Sequence, residues 1–487
     1  MVKIDPLQDY YGILGIEVDA GLDRIRQSYR ELARRYHPDT GHGDIAEFLL
    51  IQEAYEVLQD ATYRNAYDHQ RLSRGYGGTG SLALTLSQSR QELYPLDDPQ
   101  MLYVIAEIQP QESLQTVRRN LNLALVLDLS TSMQGARIHN VKLAANDLVE
   151  SLSPSDRLAI VTFSDRAEVV RAGLLSDDKH AFRSAIAALR PGGGTEIFQG
   201  LAEGIRQVLP FVSAETISHV ILLTDGRTYG DEDKALAAAA QAAGSGIGVS
   251  ACGIGVDWND VFLDALARRG GGISQYIDQP TQVQQVLQSR INALTSTALR
   301  NVRLRASTSP LVDLLAAYRV APYMEILQIH ADNTLRLGNL MADEACVVAM
   351  EFAVQLQGTG ARRMARFVVE GDAVDGTRSI QLWRDLSVTL SRSSGETPVP
   401  PRLLNILARL SVFRLQENAW NALAVGEPAR ATQFLESAAT QLFDLGYREL
   451  GQAAMLEATR LQHGHDPTLQ GRKRLRYGTR SLTIPSS

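Results

Sequence analysis

The stretch LNLALVLDLSTS, residues 121–132, is an apolar run that ends in a cluster of polar side chains. Three similar runs follow it: RLAIVTFSD at 157–165, HVILLTDGR at 219–227 and GVSACGIGV at 248–256, with helical segments between them. Near-continuous apolar strands are typical of sheets that are covered on both faces. Their alternation with helices predicts a doubly wound, mostly parallel α/β domain over residues 118–297.

Polar residues fall at the predicted carboxyl ends of these strands. Asp128, Ser130 and Ser132 end the first run, Thr195 follows the triple glycine of PGGGTEIFQGL (191–201), and Asp225 ends a later strand. Ligands of such sheets bind beyond the carboxyl ends of the strands. We therefore expect these side chains to form one site.

The chemistry of this site points to a hard metal ion. Two carboxylates and three hydroxyls form an oxygen-only ligand set, which suits Mg²⁺ or Mn²⁺ rather than zinc. Because few of the ligands are charged, a bound ion keeps net positive charge and an open position, which an Asp or Glu of a protein partner can fill. The loops contain no nucleophile with a nearby histidine base, so we expect a binding protein and not an enzyme.

These three loops, in this order and with these separations, resemble the von Willebrand factor A domain and its metal-ion-dependent adhesion site (MIDAS). The resemblance implies that Ser130, Ser132 and Thr195 coordinate the ion directly. It implies that Asp128 and Asp225 act largely through water molecules or by orienting the other ligands. Thr131 stands where glycine is common in the family, a departure that affects backbone freedom but no ligand oxygen.

Residues 8–70 are predicted to form a compact unit of helices. Apolar and aromatic residues recur at helical spacing from Ile25 to Tyr36. Basic residues lie between them: Arg24, Arg26, Arg30, Arg34 and Arg35. Pro38 ends this helix, because proline lacks a backbone donor and restrains the residue before it. A second, antiparallel helix is expected after a loop that holds His37, Pro38 and Asp39.

Four segments of this unit resemble a J-domain over its whole length: DYYGILGI (9–16), SYRELARRYHPD (28–39), FLLIQEAYEVLQD (48–60) and YRNAYD (63–68). The resemblance implies that the basic helix docks a DnaK-type chaperone ATPase and that His37, Pro38 and Asp39 trigger ATP hydrolysis. The chain departs from a full DnaJ protein, because it has no CxxC repeats and little glycine-rich sequence beyond GYGGTG at 75–80. Client selection must therefore come from another part of the chain.

The segments that flank the α/β domain show the period-two alternation of half-buried strands. Strands are predicted within 81–117, after a short flexible linker at 71–80, and again within 298–392, for example in SIQLWRDLSVTL (379–390). We expect the two sets to form one antiparallel β-sandwich that carries the α/β domain as an insertion. This arrangement resembles larger bacterial A-domain proteins.

The C-terminal part of the chain turns helical. Leu403, Leu407, Leu410 and Phe413 share one face of a predicted helix, and residues 400–466 are expected to dock on the sandwich. A likeness to tetratricopeptide repeats is the alternative. Residues 467–487 are predicted to be a basic tail, either solvated or docked within the protein, with nucleic-acid binding unlikely.

Composition narrows the class of protein. The 487 residues predict several domains, and the net charge of −7 gives no reason to expect a nucleic-acid partner. Two distant cysteines exclude a disulfide framework and fit a reducing compartment. The first residues do not resemble a secretory signal, and no apolar stretch predicts a membrane span, so a cytoplasmic location is expected.

Two functions fit this organisation. The first is an adaptor in which the A domain captures a protein partner through Mg²⁺ or Mn²⁺ and the J-domain delivers it to a DnaK-type ATPase. The alternative is a regulatory scaffold that works with a MoxR-type AAA ATPase in complex assembly, stress or conflict response, with the J-domain as an accessory.

Overall fold

The computed structural model of the chain describes most of its length: residues 10–16, 20–36, 45–73, 82–111, 119–176, 179–213, 215–228, 230–373, 379–392 and 398–482. The chain forms two compact units. One consists of Met1–Thr79 with the short segment Ser379–Leu382, and the other of Gly80–Arg378 with Trp383–Ser487. Among the described residues, no helix is long and apolar enough to cross a membrane.

The N-terminal unit is helical, as predicted. Its described helices are α1 (Tyr10–Ile13), α2 (Leu22–Tyr36), α3 (Ile45–Gln59) and α4 (Ala61–Ser73). Their buried faces form one core in which Ile25 of α2 meets Ala54 and Leu58 of α3. The rings of Tyr29 and Tyr55 stack with centroids 4.0 Å apart. The loop that holds His37, Pro38 and Asp39 lies outside the described residues.

The central domain is a six-stranded sheet with strand order β6-β5-β4-β7-β8-β9. Its strands are β4 (Asn120–Asp128), β5 (Arg157–Phe163), β6 (Ala167–Leu174), β7 (Thr216–Thr224), β8 (Ile247–Ile254) and β9 (Gly271–Ile277). The edge strand β6 runs antiparallel to β5, whereas the other neighbours are parallel. Because β4 and β7 are adjacent and parallel, their carboxyl ends meet at the same edge of the sheet.

Helices cover both faces of this sheet, which confirms the doubly wound prediction. They are α5 (Ala136–Ser151), α6 (Lys179–Ala188), α7 (Ile197–Val208), α8 (Glu232–Gly244), α9 (Asp260–Arg269) and α10 (Val283–Thr295). Successive side chains of a strand point to opposite faces. In β4, Leu123 and Leu125 accordingly pack with α5, α6 and α10, whereas Ala124 and Val126 pack with α7, α8 and α9.

Two five-stranded sheets form the sandwich, with strand orders β1-β3-β14-β11-β12 and β13-β10-β15-β16-β2. The strands before the central domain are β1 (Leu82–Gln88), β2 (Glu92–Leu93) and β3 (Gln100–Pro110). Those after it are β10 (Thr297–Thr308), β11 (Val312–Ala321), β12 (Glu325–Ile326), β13 (Thr334–Met341), β14 (Cys346–Val354), β15 (Gly360–Ala373) and β16 (Ser379–Leu390). Since β3 pairs with β14 antiparallel, the prediction that the α/β domain is inserted in the sandwich is confirmed.

The C-terminal helices are α11 (Pro401–Ala424), α12 (Pro428–Asp444), α13 (Arg448–Gln462) and α14 (Leu469–Arg480). They share one apolar cluster with the first sheet of the sandwich, in which Leu403 and Phe413 of α11 lie with Val320 and Val347. The helices therefore dock on the sandwich, as expected. Within the predicted basic tail over 467–487, residues 469–480 form a helix whose Lys473 and Tyr477 are buried, so this part of the tail is docked within the protein and not solvated.

Candidate metal centre

Asp128 joins the ends of the two central strands. Its Oδ1 accepts a hydrogen bond from the backbone N of Ser130 at 2.7 Å, and its Oδ2 accepts one from Thr224 Oγ1 at 2.6 Å. The side chain is fully buried, and this burial raises the pKa of the Asp128 carboxyl, although the bonds from Ser130 and Thr224 act in the opposite direction. Asp128 thus fixes the loop after β4 against the last residue of β7.

A chain of hydrogen bonds connects three more of the predicted residues, Ser130, Ser132 and Asp225. Ser130 Oγ lies 3.0 Å from Ser132 Oγ, and Ser132 Oγ donates to Asp225 Oδ1 at 2.7 Å. Asp225 is fully buried and Ser130 nearly so, whereas Ser132 is exposed. The structure therefore brings these side chains together at the carboxyl edge of the sheet, with one side open to solvent.

The glycine-rich loop brings Thr195 to the same place. Gly192 N donates to Leu129 O at 2.6 Å, and Thr131 N donates to Gly193 O at 3.2 Å. A Cβ atom added at Gly226, next to Asp225, would lie 3.0 Å from Thr195 Oγ1. The Thr195 hydroxyl is therefore adjacent to the end of β7.

Thr131 has a contact that the sequence did not suggest. Its Oγ1 donates to Gly193 O at 3.1 Å, which adds a second bond between the loop after β4 and the glycine-rich loop. A glycine at this position would lack that bond. The departure from the family pattern thus ties two of the three site loops together.

The chemistry of the gathered side chains fits a hard divalent cation. Hydroxyl and carboxylate oxygens from three loops face one edge, and Mg²⁺ and Mn²⁺ prefer such oxygen ligands with water completing the shell. Among the described residues, no group of three or more His, Cys, Asp or Glu side chains could hold a metal ion. An ion at this centre would therefore depend on the hydroxyls of Ser130, Ser132 and Thr195 as well as the two carboxylates.

Arg137 is a further residue of the site that sequence reasoning missed. Its Nη1 forms an ion pair with Asp225 Oδ2 and donates to Ser132 O at 3.2 Å. Its Nη2 lies 3.9 Å from Asp257 Oδ2 on the loop after β8. An arginine in the first turn of an amphipathic helix has no pattern that distinguishes it from a solvated surface charge, so the sequence offered no signal.

The N-terminal unit presents its predicted basic face on α2. Exposed side chains there are those of Arg24, Arg26, Arg30 and Arg34, and none forms an ion pair within the described part of the chain. The side chain of Arg35 lies outside the described residues. Arg30 Nε donates to Arg26 O at 3.2 Å, so one of these four exposed side chains bonds to its own helix.

Comparison with known proteins assigns the domains. Residues 9–68 match the family model of the DnaJ domain, and residues 122–289 match that of the von Willebrand factor type A domain. Residues 401–485 match the Sll0103-like C-terminal alpha-helical domain. The chain therefore joins a J-domain to a von Willebrand factor A domain and a C-terminal helical domain.

Among relatives, the chain is 28% identical over 378 residues to the uncharacterized protein sll0103 of Synechocystis, which covers 76% of this chain and 90% of the relative. It is 56% identical over 63 residues to the curved DNA-binding protein of Coxiella burnetii and 44% identical over 80 residues to the chaperone protein DnaJ of Rhodospirillum centenum. These matches span 12% and 15% of this chain and 20% and 21% of those two proteins.

Two solved structures share the fold over most of the chain. A von Willebrand factor type A protein from Catenulispora acidiphila aligns over 84% of this chain and 98% of its own, with a TM-score of 0.68 and 16% identity. The ArnB paralog VWA2 from Sulfolobus acidocaldarius aligns over 83% and 99%, with a TM-score of 0.51 and 16% identity. At such identities, the likeness concerns the fold.

Proposed function

We propose that this protein is a co-chaperone adaptor. Its J-domain stimulates a DnaK-type ATPase, and its A domain captures a protein partner whose Asp or Glu completes the shell of a Mg²⁺ or Mn²⁺ ion. The observation that carries the proposal is the convergence of Ser130, Ser132, Thr195 and two buried carboxylates at one solvent-open edge of the sheet.

The proposed role is binding and not catalysis. The hydroxyls of Ser130 and Ser132 hydrogen-bond to each other, and the Ser132 hydroxyl donates to Asp225 Oδ1. In the part of the chain that the structure describes, no histidine hydrogen-bonds to either hydroxyl. A serine nucleophile needs an adjacent general base, and a bound ion would supply a positive charge for a carboxylate instead.

The metal half of the proposal is tested by calorimetric titration with Mn²⁺ and by the shift of the melting temperature. Ligand that binds the native state raises the melting temperature by mass action. Thr195→Val removes one ligand oxygen at nearly constant volume and should weaken Mn²⁺ binding at least about tenfold, equivalent to about 1.4 kcal/mol.

Thr440→Val is the matched control for that variant. It removes an exposed hydroxyl on α12 that bonds to Glu436 O, outside the loops of the candidate metal centre, and should leave Mn²⁺ binding unchanged. Metal binding that is equal in the parent protein and in Thr195→Val would reject Thr195 as a ligand. No binding by the parent protein would reject the metal centre.

The chaperone half is tested by ATPase assays with a cognate DnaK-type protein. The chain should stimulate ATP hydrolysis, and His37→Gln should abolish that stimulation. Charge reversal at Arg30 and Arg34 should weaken stimulation most at low salt, because ionic strength screens exposed charges. Reversal at Arg183, which lies in the A domain, is the control for a nonspecific charge effect.

The adaptor itself requires both domains to act on one client. Asp225→Ala should abolish partner capture and leave ATPase stimulation intact, whereas His37→Gln should do the reverse. Formation of the client–chaperone complex is the measurement. Undiminished transfer by Asp225→Ala would remove the A domain as the client module, and a single stoichiometric AAA partner would favour the scaffold instead.

A further inference from the structure

Arg137, in the first turn of α5, places a positive charge directly against the candidate metal centre. Its Nη1 ion-pairs with Asp225 Oδ2 and also donates to Ser132 O. The Asp225 side chain is fully buried, whereas that of Arg137 is 27% exposed. The guanidinium therefore lies between a buried ligand carboxylate and solvent.

The loop after β8 leaves room for this guanidinium. Gly255 has a left-handed backbone, with φ of +71°, and a Cβ atom there would lie 3.1 Å from Arg137 Nη2. Trp258 Nε1 donates to Gly255 O at 2.7 Å, which ties the loop to a buried indole. The guanidinium of Arg137 therefore occupies a defined position against Gly255 and differs in this from an unconstrained surface side chain.

Asp257 is a second, more distant counter-charge of Arg137. Its Oδ2 is 3.9 Å from Nη2, and its side chain is 66% exposed. Exposed pairs at such distances contribute little because solvent screens them. Asp225 is therefore the main counter-charge of Arg137, so the guanidinium changes the charge of the centre itself.

We propose that Arg137 tunes this centre for a carboxylate partner. It weakens binding of the divalent ion alone and strengthens binding of a partner carboxylate to the ion-loaded centre. This inference rests on the proposed function, because it requires that the centre holds a divalent ion.

The net charge of the centre accounts for both effects. The carboxyl groups of Asp128 and Asp225 offset part of the positive charge of a divalent ion and so reduce its attraction for an anion. The guanidinium of Arg137 adds a positive charge beside Asp225, so the loaded centre keeps more positive charge for an incoming carboxylate. In a partly buried site, one such charge changes affinity by about tenfold or more.

The test compares two affinities in the full chain. Arg137→Gln should bind Mn²⁺ about tenfold more tightly in calorimetric titration. The Mn²⁺-loaded variant should bind acetate about tenfold more weakly than the parent, measured by paramagnetic broadening of the acetate methyl signal. A merely structural defect would weaken both affinities, so the opposite shifts are diagnostic.

Two further variants complete the test. Arg137→Lys keeps the charge and should keep both affinities near those of the parent. Arg183→Gln removes an arginine that pairs with Glu150 near the other end of α5, and it should change neither affinity.

Unchanged or weaker Mn²⁺ binding by Arg137→Gln, with a parent that binds the ion, would overturn this inference and leave the metal centre standing. Failure of the parent to bind Mn²⁺ would overturn the proposed metal centre as well.

Discussion

Two glycines of α7 set how closely the helix that follows Thr195 approaches the sheet. A Cβ atom at Gly204 would lie 2.5 Å from Val126 Cγ2, and one at Gly200 would lie 2.5 Å from Phe163 Cδ1. Both neighbours are buried strand residues that cannot move away without disturbing the core. At the residue scale, the absence of two side chains therefore positions the start of α7 beside the candidate metal centre.

Gly204→Ala should destabilise the protein by about 1–3 kcal/mol, because overpacking in a dense core forces strands and helix apart. Urea denaturation of the parent and the variant measures the difference in the free energy of unfolding. Gly244→Ala is the matched control, since no atom lies within 4 Å of a Cβ at that helical position. This control should be neutral or stabilising by up to about 1 kcal/mol, and an equally neutral Gly204→Ala would contradict the packing argument.

At the scale of elements, helix α14 connects the C-terminal helices to the α/β domain through buried charges. Lys473 Nζ donates to Val256 O at 2.7 Å and to Trp258 O at 2.6 Å, and it lies 4.0 Å from the centre of the Trp258 ring. Arg480 forms a two-bond pair with Asp264 of α9, at 2.9 and 2.7 Å. The positive charges of Lys473 and Arg480 therefore have partners within the protein. The basic composition of this segment is then no evidence for nucleic-acid binding.

Asp264→Asn should lower stability by about 3 kcal/mol at neutral pH, because it removes the carboxylate that pairs with the largely buried guanidinium of Arg480, whereas Arg476 keeps its pair with Asp260. Burial raises the pKa of the Asp264 carboxyl, but Arg480 and Arg476 outweigh burial and hold the pKa below its usual range. A carboxyl with a depressed folded-state pKa contributes stability above its unfolded pKa of about 3.9 and loses it as pH falls through the folded value.

The difference between parent and Asp264→Asn should therefore be full at pH 7 and shrink below about pH 4. Urea unfolding across this pH range measures it. Asp385→Asn removes a comparable two-bond pair with Arg366, but one that is exposed, and it should cost at most about 1 kcal/mol. If the two variants lose the same free energy of unfolding, the buried pair between Arg480 and Asp264 stabilises the protein no more than an exposed pair does.

At the scale of the whole molecule, apolar clusters link the sandwich, the C-terminal helices and the α/β domain. One cluster joins the first sheet of the sandwich to the C-terminal helices, and another includes Tyr477 of α14 with strands of the α/β domain. The N-terminal unit has a separate core of its own. The chain therefore has two separate hydrophobic cores. We expect it to unfold as two cooperative units and not as one unit for each domain.

Differential scanning calorimetry should accordingly resolve two transitions. Removal of residues 1–80 should eliminate one of them and shift the other by no more than about 2 °C, because separate cores unfold independently. Mn²⁺ should raise only the transition of the larger unit. Three transitions, with the sandwich and the α/β domain melting apart, would contradict the shared clusters.

The sequence by itself predicted the main domains and their order, and it predicted which five side chains meet at the candidate metal centre. Apolar runs such as 121–127 are local signals of buried strands, and parallel strands bring their carboxyl ends to one edge, so Asp128 and Asp225 could be expected to meet. Helical periodicity likewise predicted α2 and α3 of the N-terminal unit.

Only the tertiary structure decided which distant charges meet. Arg137 pairs with Asp225 across 88 positions of the chain, and Arg480 pairs with Asp264 across 216. Periodicity encodes which face of a helix is apolar, but a basic residue on the other face looks the same whether it meets water or a buried carboxylate. Those pairings depend on how packed elements bring remote side chains together, and this information is absent from any local pattern.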